Sequence, residues 1–354
     1  MLVLGIETSC DETSAAIVRN GCHVLSNSIQ TQIDLHQVFG GVVPEVASRH
    51  HLEMLPSVIQ KALDQANVSF QDLSAIAVTN RPGLIGALLV GLTSAKAMAY
   101  ALDIPLIPVN HLHAHLCSIF IESSGHSTPP SKKVPNFPFL GLLISGGHSI
   151  IYKVHSFSRF ELLCQTRDDA IGEALDKAGK MLGLPYPGGP EIDRLSKNSK
   201  GGRFSFPRPL AKKTIREFSF SGLKTSLLNK IQEAKRSGNP LENPQFITDI
   251  AHDFQEATLD HLLEKTRLTI QKTNLNQLVV AGGVAANSRL RTKLQELAKD
   301  LKIEVWIPKP IFCTDNGAMI AALGSHLLAQ TNPPIKNFDP KHLTLNAFSS
   351  NERE

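Results

Sequence analysis

At 354 residues with 42% apolar side chains, the chain exceeds what one hydrophobic core usually serves, so two lobes of similar size are expected. A net charge of +4 permits contact with nucleic acid without announcing it, and no apolar run approaches a membrane span. Five scattered cysteines without a Cys-x-x-Cys pair exclude a disulfide framework and a zinc knuckle, and fit reduced thiols in the cytoplasm.

The first residues are too short and unflanked for a signal peptide and read as a strand from Leu2 to Ser9. Thr13 to Val18 and Cys22 to Ser28 follow as strands, joined through Asn20-Gly21, a strong hairpin signal. Between the first two lies Glu7-Thr8-Ser9-Cys10-Asp11-Glu12, crowded with hydroxyls and carboxylates. Such a turn either presents N–H groups and hydroxyls to a phosphate, with Asp11 holding a cation or water, or is an ordinary hydrogen-bonded turn.

Apolar residues at helical spacing predict a helix over Pro44 to Ala66, with Arg49, His50 and His51 on a solvated face. Ala75 to Thr79 is a buried-type strand. Arg81-Pro82-Gly83-Leu84-Ile85-Gly86 then leads into a helix from about Ala87 to Leu102, half of a βαβ unit whose helix start attracts anions.

The apolar run Ile104 to Val109 opens onto Asn110-His111-Leu112-His113-Ala114-His115. A helix starting there sets His111 and His115 one turn apart on one face, the reach of a two-histidine metal site, with His113 pointing elsewhere. A zinc-protease helix has Glu directly after its first His, where this chain has Leu112. The pair therefore either holds a metal without an adjacent hydrolytic base or is a surface cluster, and a third ligand has to come from far away in sequence.

Glu122 to Pro138 is rich in Ser, Pro and Lys and reads as a surface or lobe-connecting loop. Phe139 to Ile144, the turn Ser145-Gly146-Gly147-His148-Ser149 and Ile150 to Val154 repeat the strand, turn, strand order of the chain start. Two such hairpins suit gripping a nucleotide's phosphates. A helix over Ala170 to Leu182 carries Asp176, which either contacts a ribose or pairs with Lys180, and Tyr186 to Asp193 forms a rigid turn into the next helix.

Arg203, Arg208, Lys212, Lys213, Arg216 and Lys224, interleaved with Phe204, Phe206, Phe218 and Phe220, suit an RNA-facing surface, although such aromatics also fit a core. Pro244 to Thr273 reads as a long helix and Gln277 to Ala281 as a strand. Gly282-Gly283-Val284-Ala285-Ala286-Asn287 leads from that strand into a helix over Ser288 to Leu301, where open α/β sheets bind adenosine. Asn287 either caps that helix or reads a base or ribose. After a strand at Glu304 to Ile307, Asp315 starts an apolar helix of small residues, either as its N-cap or as the carboxylate of a His₂Asp ligand set. Thr331 to Glu354 is a polar tail with little pattern.

Seven motifs occur in order: Gly5-Ile6-Glu7-Thr8-Ser9-Cys10-Asp11-Glu12-Thr13, His111-Leu112-His113-Ala114-His115, Leu143-Ile144-Ser145-Gly146-Gly147-His148, Tyr186-Pro187-Gly188-Gly189-Pro190, Phe218-Ser219-Phe220-Ser221-Gly222-Leu223-Lys224, Gly282 to Asn287, and Thr314-Asp315-Asn316-Gly317-Ala318-Met319. Together, over about residues 1 to 330, they closely resemble the bacterial tRNA N6-adenosine threonylcarbamoyltransferase family. The resemblance implies an α/β chain with the two-lobed ATPase fold of actin, sugar kinases and heat-shock chaperones, and a ligand cleft between the lobes. The expected layout is an N-terminal lobe over 1–137, a C-terminal lobe over 138–330 with a helical insertion at about 170–275, and a tail, 331–354, packing back on the first lobe.

The same resemblance implies transfer of threonylcarbamoyl from threonylcarbamoyl-AMP to N6 of the adenosine 3′ of the anticodon, in tRNAs reading codons that begin with A. It makes His111, His115 and Asp315 the ligands of one divalent metal, iron before zinc. It gives Leu143, Ile144, Ser145, Gly146, Gly147, Asp176, Gly189, Asp193 and Asn287 to the adenylate. Its implied partners are tRNA, an inactive paralogue of the same fold and a small P-loop ATPase. The exocyclic amine is a poor nucleophile, so a base is expected, with Asp11 and Glu12 as candidates. Arg81, where the family more often has Gly, and His50, commonly an acid there, depart from the pattern. Two rival readings are a metalloprotease, from the histidine pair, and an ATP-dependent kinase or ATPase of the same fold, from the paired turns.

Overall fold

The computed structural model describes residues 1–123, 133–207, 217–236, 238 and 240–350. The chain divides into two compact units, Met1–Val134 with Pro308–Glu354, and Pro135–Ile307. Most of the Ser/Pro/Lys loop after Glu122, together with Arg208, Lys212, Lys213 and Arg216 of the expected basic surface, lies outside the described residues.

The first unit is built on a six-stranded sheet of β1 (Leu2–Glu7), β2 (Glu12–Arg19), β3 (His23–Thr31), β4 (Ala75–Arg81), β5 (Leu106–Asn110) and β6 (Glu122–Ser123), in the order β5-β4-β1-β2-β3-β6. β1, β2 and β3 form an antiparallel meander, while β4 and β5 add in parallel beside β1. Asn20 and Gly21 take φ of 53° and 75°, the left-handed pair that a two-residue hairpin requires. The helices are α1 (Ile33–Gln37), α2 (Pro44–Ala66), α3 (Ile85–Leu102), α4 (His111–Cys117) and, from the far end of the sequence, α10 (Gly317–Ala329).

α2 and α3 form the core of this unit with the sheet: Leu55, Val58, Ile59 and Leu63 of α2 and Leu92 of α3 meet Leu4, Ile6, Ile17 and Ile76. His51 belongs to the buried stripe of α2 and not to a solvated face as expected, because it sits one turn before Leu55 on the same side. Arg49 does face solvent, paired with Glu45 at 2.8 Å. α3 is long and apolar enough to cross a membrane on length and composition, contrary to the expectation that no run is. Here its small face of Ala87, Leu88, Gly91, Leu92, Ala95 and Ala99 is buried within the unit.

The boundary of the units differs from the expected one, since residues from Pro308 onward, α10 included, belong with the first unit. The cause is close backbone packing. A Cβ at Gly5 of β1 would stand 2.2 Å from the carbonyl oxygen of Gly317, and one at Gly324 would stand 2.4 Å from Cβ of Ala77 on β4. The tail continues over the same unit: Lys96 Nζ donates to the carbonyls of Leu343 (2.9 Å) and Leu345 (2.6 Å), and Phe338 is buried against the core. Arg81, the unusual residue of its turn, places its guanidinium 4.6 Å from the ring centre of Phe348.

The second unit has its own six-stranded sheet of β7 (Phe139–Ile144), β8 (Ser149–Ser156), β9 (Arg159–Thr166), β10 (Glu217–Phe218), β11 (Gln277–Ala281) and β12 (Glu304–Trp306), in the order β10-β9-β8-β7-β11-β12. Its helices are α5 (Ile171–Met181), α6 (Gly188–Ser196), α7 (Ser221–Lys235), α8 (Pro244–Thr273) and α9 (Ser288–Leu301). The meander β7-β8-β9 repeats β1-β2-β3 in antiparallel pairing. Sequence reading missed β9, whose side chains are mostly exposed or half-buried with only Cys164 buried, so it carries no clean alternation.

Candidate functional site

The histidine helix is set by its cap. Asn110 ends β5, and its side-chain oxygen accepts from the backbone N–H of Leu112 (2.9 Å) and His113 (3.3 Å), starting α4 at His111. His111 and His115, both buried, bring their Nε2 atoms within 3.2 Å of each other, with the rings edge to face at 86°. Asp315 Oδ1 lies 3.0 Å from His115 Nε2 and 3.5 Å from His111 Nε2. Asp315 is not the N-cap of α10. Asn316 takes that role, accepting from Met319 N at 3.0 Å, which leaves the carboxylate of Asp315 beside the imidazoles. All three residues lie in the first unit, so the cluster is complete without the second.

Two nitrogens and one carboxylate oxygen, all within 4.8 Å of one another, are a donor set that suits a divalent transition metal. The surroundings fit the same reading. Glu7, at the buried end of β1, sets Oε2 3.0 Å from His111 Nδ1, and it is itself held by Thr79 Oγ1 and Ser9 N, both donating at 2.6 Å. With Nδ1–H donated to Glu7, His111 would offer Nε2 to a metal that displaces the proton there, the arrangement typical of metal-binding histidines. Among the described residues His115 Nδ1 is buried without a hydrogen-bond partner, and the ring is oriented by packing and by Asp315. Sequence reasoning missed this role of Glu7; its signal was an acid closing an otherwise apolar strand.

The charges are strongly interdependent. Burial lowers the His111 pKa, but Asp315 and Glu7 outweigh it and raise it to about 9. Burial lowers that of His115 against the pull of Asp315. Burial pushes the Glu7 carboxyl up, and the His111 imidazole brings it below its ordinary value. Glu12, first residue of β2, is held well above the usual carboxylate range by burial and then by the charges of Asp315 and Asp11.

The Thr8 to Asp11 turn is braced from behind. His51 Nε2 lies 2.9 Å from the carbonyl of Cys10 and its Nδ1 2.7 Å from Thr13 Oγ1. Thr8 Oγ1 donates to the carbonyl of Ala87, and Leu84 N donates to that of Ser9. Gly83 permits the second contact, since a Cβ there would stand 2.6 Å from Ser9 O.

In the second unit, Leu143 and Ile144 are core residues of β7 with fully buried side chains, so only their backbone is available to a ligand. Ser145 to His148 closes a tight turn through Ser145 N to His148 O (2.8 Å) and His148 N to Ser145 Oγ (3.2 Å). Gly146 and Gly147 are exposed, and a Cβ on either would meet nothing within 4 Å, so their backbone is open to an approaching group. Asp176 accepts from Gly189 N at 3.0 Å and does not act as a solvated partner of Lys180. Asp193 accepts from Ser288 N (3.1 Å) and Ser288 Oγ (3.0 Å), and the next residue back, Asn287, caps α9 through Leu290 N while donating to Gln255 Oε1. Asp176 and Gly189 thus pair directly, Asp193 reaches the residue beside Asn287, and the Gly146 turn abuts α5, the helix of Asp176.

The aromatic side of the expected RNA surface is core. Phe218 and Phe220 are fully buried and stacked on each other, Phe206 is buried against Phe254, and Phe204 packs on Phe246. Lys224 pairs with Asp169.

A family model described as tRNA N6-adenosine threonylcarbamoyltransferase matches residues 23–322. Curated relatives of that name include one from Geotalea uraniireducens (strain Rf4), 48% identical over 96% of this chain and 94% of its own. Another, from Syntrophus aciditrophicus (strain SB), is 50% identical over 93% of each. Among solved structures, T. kodakarensis HypF is similar with a TM-score of 0.57 at 14% identity, over 97% of this chain and 49% of its own. The Acidaminococcus fermentans (R)-2-hydroxyglutaryl-CoA dehydratase component A is similar with a TM-score of 0.52 at 14% identity, over 92% and 96%. These likenesses identify the fold as the two-lobed ATPase fold of the actin class.

Proposed function

Because the chain belongs to the family of tRNA N6-adenosine threonylcarbamoyltransferases, we propose that it transfers threonylcarbamoyl from threonylcarbamoyl-AMP to N6 of the adenosine 3′ of the anticodon, in tRNAs reading codons that begin with A. The observation that carries the reading to particular residues is the convergence of His111 Nε2, His115 Nε2 and Asp315 Oδ1, backed by Glu7.

These three side chains would hold one divalent ion, iron first and zinc second, which when bound supplies a Lewis acid for the phosphate and carbamoyl oxygens of the adenylate. The chain's own groups do the rest. The open backbone of Gly146 and Gly147 takes the adenylate's anionic end, while Asp176, Gly189, Asp193 and Asn287 shape the nucleoside side. Leu143 and Ile144 contribute through their backbone.

The N6 amine attacks the carbamoyl carbon, an N–C bond forms, the C–O bond to the phosphate breaks and AMP leaves with the electron pair. The N6 proton passes to a carboxylate, for which Asp11 and Glu12 are the candidates. The reaction takes place in the cytoplasm, where tRNA is found, with an inactive paralogue of the same fold and a small P-loop ATPase as partners. The kinase and metalloprotease readings gain nothing: Leu112 stands where a protease helix carries its Glu, and the named relatives are all transferases.

The test is incubation of the metal-loaded chain with threonylcarbamoyl-AMP, unmodified tRNA and those two partners, followed by nucleoside analysis. The expected product is threonylcarbamoyladenosine, lost on chelation and restored by added iron or zinc. Unmodified adenosine throughout, with all components present, would overturn the proposal.

A further inference from the structure

At the edge of the second unit's sheet, α9 and the strand β12 flank an open hollow of about 450 Å³ that takes no part in the chemistry above. That is the size of a small-molecule site. Its floor is apolar, from Leu294, Ala298, Val305 and Ile307, and its polar groups are Arg291, Gln295 and Lys299. Arg291, Gln295 and Lys299 recur every fourth residue along α9, so they line one face of the helix.

Neither cation is neutralised. Arg291 donates Nε to the carbonyl of Ala285 at 2.8 Å, which fixes the guanidinium, and its buried Nη2 has no hydrogen-bond partner among the described residues. Among the described residues no carboxylate pairs with Arg291 or Lys299. This contrasts with Arg289 and Lys293 on the same helix, which share Glu256. The two cations leave positive charge unbalanced along this face of the helix, which favours an anion there.

We propose that this hollow is a binding site for a small organic anion, a phosphate or carboxylate carried on an apolar or planar body. The anionic group meets Arg291 and Lys299, and the body lies on Leu294, Ala298, Val305 and Ile307. None of the lining residues is among those given to the metal or the adenylate, so failure of this site would leave the transferase reading untouched.

Phenyl phosphate, benzoate and, as a neutral control, benzyl alcohol are titrated into the full chain, and binding is read by isothermal titration calorimetry. A saturable change is expected with at least one anion and none with the alcohol over the same range; which anion responds tells a phosphate ligand from a carboxylate one. Since Arg291 also holds Ala285, the substitutions are placed elsewhere. Lys299→Glu is expected to weaken binding about tenfold, and Ala298→Phe to abolish it by filling the floor, with thermal melts confirming that both variants fold. A response without saturation, equal responses to anion and alcohol, or affinity unchanged in both variants would each overturn the proposal.

Discussion

Glu7 Oε2 and His111 Nδ1 lie 3.0 Å apart in the buried heart of the first unit, joining the end of the first strand to the first turn of the histidine helix. A carboxylate in that position selects the tautomer and holds the ring plane, so its removal is felt at the opposite nitrogen. Glu7→Gln should lower affinity for iron or zinc about 10–100-fold, read by competition with a chelator of known affinity. Unchanged affinity would remove Glu7 from the support of the site.

Asn316 frees its neighbour for chemistry. With Asn316 capping α10, Asp315 need not, and the carboxylate turns to His115 instead. Asn316→Ala should cost about 1 kcal/mol of stability, seen in the urea midpoint, and should also weaken metal binding. Asp315→Ala should abolish stoichiometric metal while leaving the far-ultraviolet circular dichroism intact. A variant of Asp315 that keeps a full complement of metal would exclude it as a ligand.

The contact of β1 with α10 tolerates no side chain. A Cβ on Gly5 would meet Gly317 O at 2.2 Å and Ala321 N at 2.4 Å, both backbone atoms that cannot step aside. Gly5→Ala should destabilise the fold by about 1–3 kcal/mol or more. It should also loosen the metal site, although no ligand is touched, because the same contact sets the position of Asp315. Denaturant titration and metal affinity on one sample check both halves.

Asp11 and Glu12, the proposed bases, are not among the three residues proposed to hold the metal. Alanine at whichever residue accepts the N6 proton should slow single-turnover transfer by about 10²–10⁴-fold, with metal content unchanged. Full rates in both variants would mean that neither is the base.

Glu256 provides a pH signature in the second unit. Burial pushes its carboxyl up, but Arg289 and Lys293 outweigh this and draw it from 4.5 down to about 2. A carboxyl depressed in the folded state stabilises fully above its unfolded value and loses that stabilisation as pH falls from about 4.5 toward 2. Glu256→Gln should therefore be less stable at neutral pH and show a shallower decline through that window. Parallel declines in the two proteins would deny the linkage.

How far sequence alone reaches depends on the residue. α2, β7, α8, β11 and α9 have the bounds read from apolar spacing and Gly/Pro punctuation, because each buries a regular stripe or a continuous run. The roles of polar side chains were less legible. His51 reads as a surface residue until the turn it braces is folded against it, and Asp176 reads as a partner of Lys180 until α6 brings Gly189 N within 3.0 Å. Phe218 and Phe220 carry the same pattern whether they stack on a base or on each other, and burial alone distinguishes the two cases.

The order and spacing of residues by themselves determined the strands, the long helices, the one-turn separation of His111 and His115, and the family. Periodicity and short motifs are local properties, written within a few residues of one another. The resemblance names Asp315, but its meeting with those histidines, the unit that receives residues 308–350 and the acid that backs His111 depended on contacts between positions about a hundred to three hundred residues apart. Those contacts exist because α10 returns to lie on β1 and β4 through glycines that let two backbones touch, a packing event with no local signature.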